Sequence, residues 1–127
     1  MLFNIFLVLT VALVMEAAGL VFLRKGMIEV GEISTFNLKE LFAIFLRMIT
    51  NKSVVLGVFF EAIFFGLFLT LLSWGELSLI LPLTALGYLV SGVFAHYFLM
   101  EHVSPLRWAG TLLIVVGVFL ITKSAQS

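Results

Sequence analysis

The chain has 127 residues, of which 63% are hydrophobic and 11% charged, with a mean hydropathy of +1.28. A soluble domain carries roughly a quarter of its residues as charges, so this composition excludes one and points to an integral membrane protein. A formal net charge of zero argues against nucleic acid or an acidic macromolecule as the main partner. The absence of cysteine removes disulfides, thiol nucleophiles and thiolate metal sites.

In chain order, residues 2–23 are apolar apart from Asn4, Thr10 and Glu16, and a run of about 20 such residues is what a bilayer core requires. No A-x-A-type cleavage site follows this run, and Glu16 interrupts it, so it is expected to be a retained helix rather than a signal peptide. Residues 26–50 differ. Glu29, Glu32, Asn37, Lys39, Glu40 and Arg47 break the segment, while Leu38, Leu41, Phe42, Phe45, Leu46 and Ile49 recur at helical spacing. An amphipathic helix lying at the membrane interface, or one capping the bundle on the same side, is expected over about residues 38–50.

A second apolar run, 54–72, contains Glu61 and ends at a tight connection, Ser73, Trp74, Gly75 and Glu76. The third, 77–99, carries Pro82, Gly87 and Gly92, then His96 and Tyr97. Pro105 sits where a helix tolerates proline, at the start of the fourth run, 105–122. The expected fold is an all-α membrane protein: one domain, residues 1–127, of four transmembrane helices with an interfacial helix between the first and second. Arg24, Lys25, Lys39, Arg47, Lys52 and Arg107 lie on one side of these spans and Lys123 alone on the other. The positive-inside rule makes the basic side cytoplasmic and puts both termini outside, in the periplasm of a bacterial inner membrane.

Two carboxylates lie within the spans. A charge at membrane depth costs at least roughly 2.5–3.5 kcal/mol, so such residues usually face a bundle interior or a substrate path. Glu16 precedes Arg24 by eight residues and Glu61 follows Lys52 by nine, which at about 1.5 Å per residue sets both roughly 12–14 Å in from the basic side. If they share a cavity, both cannot ionise cheaply, and the pair would hold a proton that a cation could displace. The alternative is a carboxyl that only bonds a neighbouring helix. Thr84, Tyr88, Ser91 and Ala95 recur at i, i+4, i+7 and i+11 and give the third helix a small, polar stripe. It suits the lining of a path or tight helix packing. Pro82 removes a backbone donor, and with Gly87 and Gly92 makes this helix the candidate for kinking or gating. His96, beside Tyr97, reads as an interfacial anchor, and Glu101 and His102 beside Arg107 as a solvated cluster. With no catalytic set, phosphate-binding glycine loop or metal-ligand spacing, neither an enzyme nor a cofactor is expected.

Pro82, then Glu101, Val103, Ser104 and Pro105, Trp108 and Gly110, and the apolar run with Gly117 resemble the carboxyl half of the drug/metabolite transporter (EamA-like) superfamily. Within it the chain is most similar to four-helix subunits that flip undecaprenyl-phosphate aminoarabinose. Glu16, Gly19 and Arg24 resemble the first helix of the small multidrug resistance transporters, which implies that Glu16 is a shared proton and substrate carboxylate. Two features depart from those exporters: the aromatic box of the third helix is reduced to Tyr88, and the first connection is longer. Their inverted homodimers carry weak charge bias, whereas the bias here is six to one.

The reading that follows is a transporter or flippase subunit moving a lipid-linked substrate, with an amino-sugar or other polar head group, across the inner membrane. Glu16 and Glu61 would bind substrate or proton, and Thr84, Tyr88 and Ser91 would line the route. The partners expected are membrane lipids, the lipid-linked or cationic small molecule, and a second copy or related subunit in a homodimer or heterodimer. A proton-coupled exporter of organic cations and a non-transporting accessory subunit are the alternatives.

Overall fold

The computed structural model describes residues 2–34 and 36–126. The described chain is all-helical, without strands. Its helices are α1 (Leu2–Val30), α2 (Leu38–Thr50), α3 (Lys52–Trp74), α4 (Leu77–Leu83), α5 (Gly87–Phe98) and α6 (Pro105–Gln126), with a 3-10 turn, Thr84–Leu86, joining α4 to α5. By length and composition four stretches can cross a membrane: Phe3–Val30, Lys52–Trp74, Leu77–Phe98 and Pro105–Ser124.

The first helix runs a full turn and more beyond the end that hydropathy marks at residue 23. Arg24, Lys25, Met27 and Glu29 are good helix formers, and the charges that end an apolar run do not end a helix. Gly31 does. At φ 103° it adopts the left-handed conformation of a helix cap, and its N–H donates to the carbonyl of Met27 at 2.9 Å. At the next junction Asn51 ends α2 and begins α3. Its side-chain oxygen accepts from the N–H of Val54 at 3.0 Å, and its amide donates to Glu29 Oε2 at 3.2 Å, tying the end of α1 to both helices.

α1 is the centre of the bundle, packed most extensively on α3 and then on α5. The contact with α3 is close because it is built on glycine. A Cβ on Gly57 would lie 2.8 Å from the carbonyl oxygen of Gly19, so the two backbones approach in a way that any side chain would prevent. Beside this crossing Phe22 of α1 stacks on Phe60 of α3, ring centroids 5.7 Å apart. The apolar core gathers toward the amino end of α1, where Ile5, Leu9 and Leu13 meet Leu71, Ile80, Leu83 and Val118. α6 packs chiefly on α4 and the 3-10 turn, and its outer side, Leu112, Leu113, Phe119 and Leu120, is exposed.

Candidate functional site

Glu16 lies halfway along the membrane-length stretch Phe3–Val30, one turn past Leu13 and therefore just beyond the apolar core. There α1 faces the irregular middle of the third apolar run. α4 includes Pro82 in its last turn, and the chain then tightens into the 3-10 turn before resuming as α5 at Gly87. Proline has no N–H to continue the ladder, and a 3-10 turn in mid-helix changes the rotation at which the following residues emerge. The Thr84 hydroxyl turns back onto the chain and donates to the carbonyl of Leu81 at 2.5 Å.

These elements enclose a groove of about 350 Å³ whose polar lining is Glu16, Thr84, Tyr88 and Ser91. Gly87 forms part of its wall, and a Cβ there would lie 2.6 Å from Glu16 Oε1. The carboxylate thus rests against bare backbone, in space that only glycine leaves open. The groove is not sealed: Tyr88 is 64% exposed, so it opens on the side of the bundle, at mid-helix. Ser91 also belongs to a second groove, where Ala95 continues the same stripe toward the basic end. The stripe at 84, 88, 91 and 95 therefore runs along α1.

Glu61 has a different setting. It is not among the residues lining the groove of Glu16. Its carboxyl is folded against α1, where a Cβ on Gly19 would lie 2.5 Å from Glu61 Oε1, and this oxygen is buried without a hydrogen-bond partner among the described residues. Both carboxylates are nevertheless set on the same stretch of α1, since Gly19, which Glu61 touches, follows Glu16 by three residues. Burying a carboxylate oxygen without a donor is costly.

Of the three residues expected to kink or gate, Pro82 precedes the 3-10 turn, Gly87 touches Glu16, and Gly92 packs under Trp108, whose ring carbons would lie 3.7 Å from a Cβ there. His96 is exposed, its Nδ1 3.2 Å from the carbonyl of Glu101. Glu101, expected beside Arg107, has its Oε2 4.0 Å from Arg24 Nε on α1 instead. This contact, like the glycine cradles of Glu16 and Glu61, joins residues far apart in sequence and gives no periodic signal. Among the described residues no group of three His, Asp or Glu side chains is placed to hold a metal ion.

Comparison with protein-family models, with characterised proteins and with solved structures finds no match to the chain.

Proposed function

We propose that the chain is a four-span inner-membrane transporter or flippase subunit that moves an amine-bearing, lipid-linked solute across the bilayer, with Glu16 as its cation-binding carboxylate. The observation that carries this reading is the groove itself. An ionisable group at mid-helix meets polar side chains of the facing helix in a space that opens sideways. A carboxylate attracts an ammonium group, and the pairing is strong where water is scarce. A lateral opening lets a head group enter while its hydrocarbon tail stays in the lipid.

Tyr88 and Ser91 line the route, and Glu61 is the second charge, able to repel Glu16 when both ionise and so to favour a site holding either a proton or a cation. A second copy or a related subunit closes the open side. α2 lies along the cytoplasmic interface: Phe42, Phe45, Leu46 and Ile49 are exposed, and Glu40 and Arg47 supply its polar face. Both termini face the periplasm. A reporter fused after residue 127 is expected to register outside; a cytoplasmic signal would overturn this orientation.

The functional test is reconstitution of wild type and Glu16→Gln in vesicles, with translocation of a prenyl-phosphate-linked aminosugar and proton-linked uptake of an organic cation measured side by side. Loss of the first activity in Glu16→Gln supports the flippase. If wild type moves only the simple cation, the chain is an exporter. Wild-type and variant vesicles that move neither cargo, together with an intact host complex carrying Glu16→Gln, would make it an accessory subunit.

A further inference from the structure

The polar lining of the groove at Glu16 is oxygen throughout. It consists of one carboxylate, Glu16, and the hydroxyls of Thr84, Tyr88 and Ser91, and none of the described side chains lining it carries nitrogen or sulfur. Oxygen sets of this kind suit hard cations. Calcium and magnesium draw on further carboxylates or on phosphates, whereas Glu61 lies outside this lining and leaves the groove one negative charge. One carboxylate balances one monovalent cation, and a neutral pair is cheaper at membrane depth than a lone charge.

The backbone adds to the set. Leu81, Thr84 and Ala85 line the groove and carry the break between α4 and α5. Pro82 has no N–H, so the carbonyl of Ser78 lacks its helical donor. Beyond it, the Thr84 N–H is shared among the carbonyls of Ile80, Leu81 and Pro82, and the Gly87 N–H between those of Thr84 and Ala85. A shared N–H leaves each oxygen incompletely bonded, since every carbonyl has two lone pairs. The Thr84 hydroxyl gives its proton to the carbonyl of Leu81, so toward any further partner its oxygen is an acceptor only. An interrupted helix that gathers acceptors beside an acid at mid-span is an arrangement by which membrane proteins hold sodium.

We infer that the groove is an alkali-cation site, in which sodium is held by the Glu16 carboxylate, the Thr84 hydroxyl and backbone carbonyl oxygens of the break between α4 and α5. The inference rests on the reading of Glu16 as a cation-binding carboxylate and adds the ion that occupies it when cargo is absent. Sodium and an organic cation are alternative occupants of one carboxylate, so either expels the other. A sodium gradient can therefore drive the exchange.

The experiment is equilibrium binding of radiolabelled sodium to the full chain in nanodiscs of zwitterionic lipid at constant pH, with radiolabelled tetramethylammonium measured alongside. Wild type is expected to bind sodium saturably, to lose it to tetramethylammonium, and to lose little of it to calcium at the same concentration. Glu16→Gln abolishes both bindings. Thr84→Val, similar in shape but without the oxygen, weakens sodium about tenfold, the scale of one lost charge-assisted contact, and leaves tetramethylammonium unchanged because that cation accepts no coordinating oxygen. Thr84→Ser keeps the oxygen and the affinity. Pro82→Ala supplies the missing N–H and weakens sodium in the same direction, which reads the backbone contribution even if Thr84→Val fails to assemble.

Sodium binding that is unaffected by both Thr84→Val and Pro82→Ala would make the ion a plain counterion of the carboxylate and overturn the proposal. Calcium that displaces sodium more effectively than tetramethylammonium does would also overturn it. Failure of the underlying reading is separately visible: tetramethylammonium binding that survives Glu16→Gln removes Glu16 as a cation site altogether, whereas Glu16-dependent tetramethylammonium binding without saturable sodium removes the sodium site alone.

Discussion

α1 has two sides that obey opposite rules. Toward α3 it is packed backbone to backbone: Gly19 faces Gly57, and even the carboxyl of Glu61 is pressed against Gly19. Toward the third run it is held apart, leaving a groove in which Glu16 meets Thr84, Tyr88 and Ser91. Both sides use glycine and both carry a glutamate. At the α3 side glycine lets two helices close; at the α5 side Gly87 leaves room for a carboxylate. The same residue type therefore serves packing in one place and a site in the other, and the neighbours decide which.

Substitutions that add one side chain to each side test this contrast. The largest effect on stability is expected for Gly57→Leu, whose Cβ would meet the Gly19 carbonyl at 2.8 Å and Leu23 at 2.7 Å. Backbone cannot move aside as a side chain can, so a loss of about 3 kcal/mol or more is expected as a lowered thermal midpoint in detergent. Gly87→Ala adds a methyl 2.6 Å from Glu16 Oε1, against the end of a side chain that can swing away. It is expected to cost less than about 1.5 kcal/mol, yet to reduce transport strongly by displacing the carboxylate. Equal effects of the two variants on folding would remove the distinction between the sides.

A third substitution addresses Glu61. Its Oε1 is buried without a partner among the described residues, and glutamine keeps its shape without its charge. Glu61→Gln is expected to leave the fold intact and to shift the dependence of transport on the proton gradient, measured by uptake at several imposed gradients. An unchanged dependence would reduce Glu61 to a packing residue. The smallest effect belongs to Asn51→Ala, which removes one helix cap and the bond to Glu29. A loss of about 1 kcal/mol in thermal denaturation is expected, without effect on transport.

Much of this architecture can be read along the chain because apolar length is a local property. The spans near 54–72 and 105–122 and the helix over 38–50 correspond to α3, α6 and α2 with shifts of a few residues at their ends. The end of α1 was not legible from hydropathy, since Arg24 and Lys25 close an apolar run while the helix continues to the cap at Gly31. The third run conceals a 3-10 turn that Pro82 hints at but does not locate. For the site, the stripe at 84, 88 and 91 was visible as a period on one helix. That Glu16 faces it while Glu61 turns onto Gly19 depends on how helices pair, which no spacing within a helix records. The pair of Arg24 and Glu101, 77 residues apart in the sequence, belongs to the same class.

The central claim is that Glu16, in the groove, is the cation-binding carboxylate and that Glu61, outside the groove lining with its Oε1 against Gly19, is not. It is tested most directly by reacting the chain in lipid with dicyclohexylcarbodiimide, an apolar reagent for carboxyl groups, and following both residues by peptide mass spectrometry with and without tetramethylammonium, a cation that cannot itself attack the activated carboxyl. Modification of Glu16 slowed by tetramethylammonium, with that of Glu61 unchanged, is the predicted result. A Glu16 rate indifferent to the cation, or equal slowing at both residues, would contradict it.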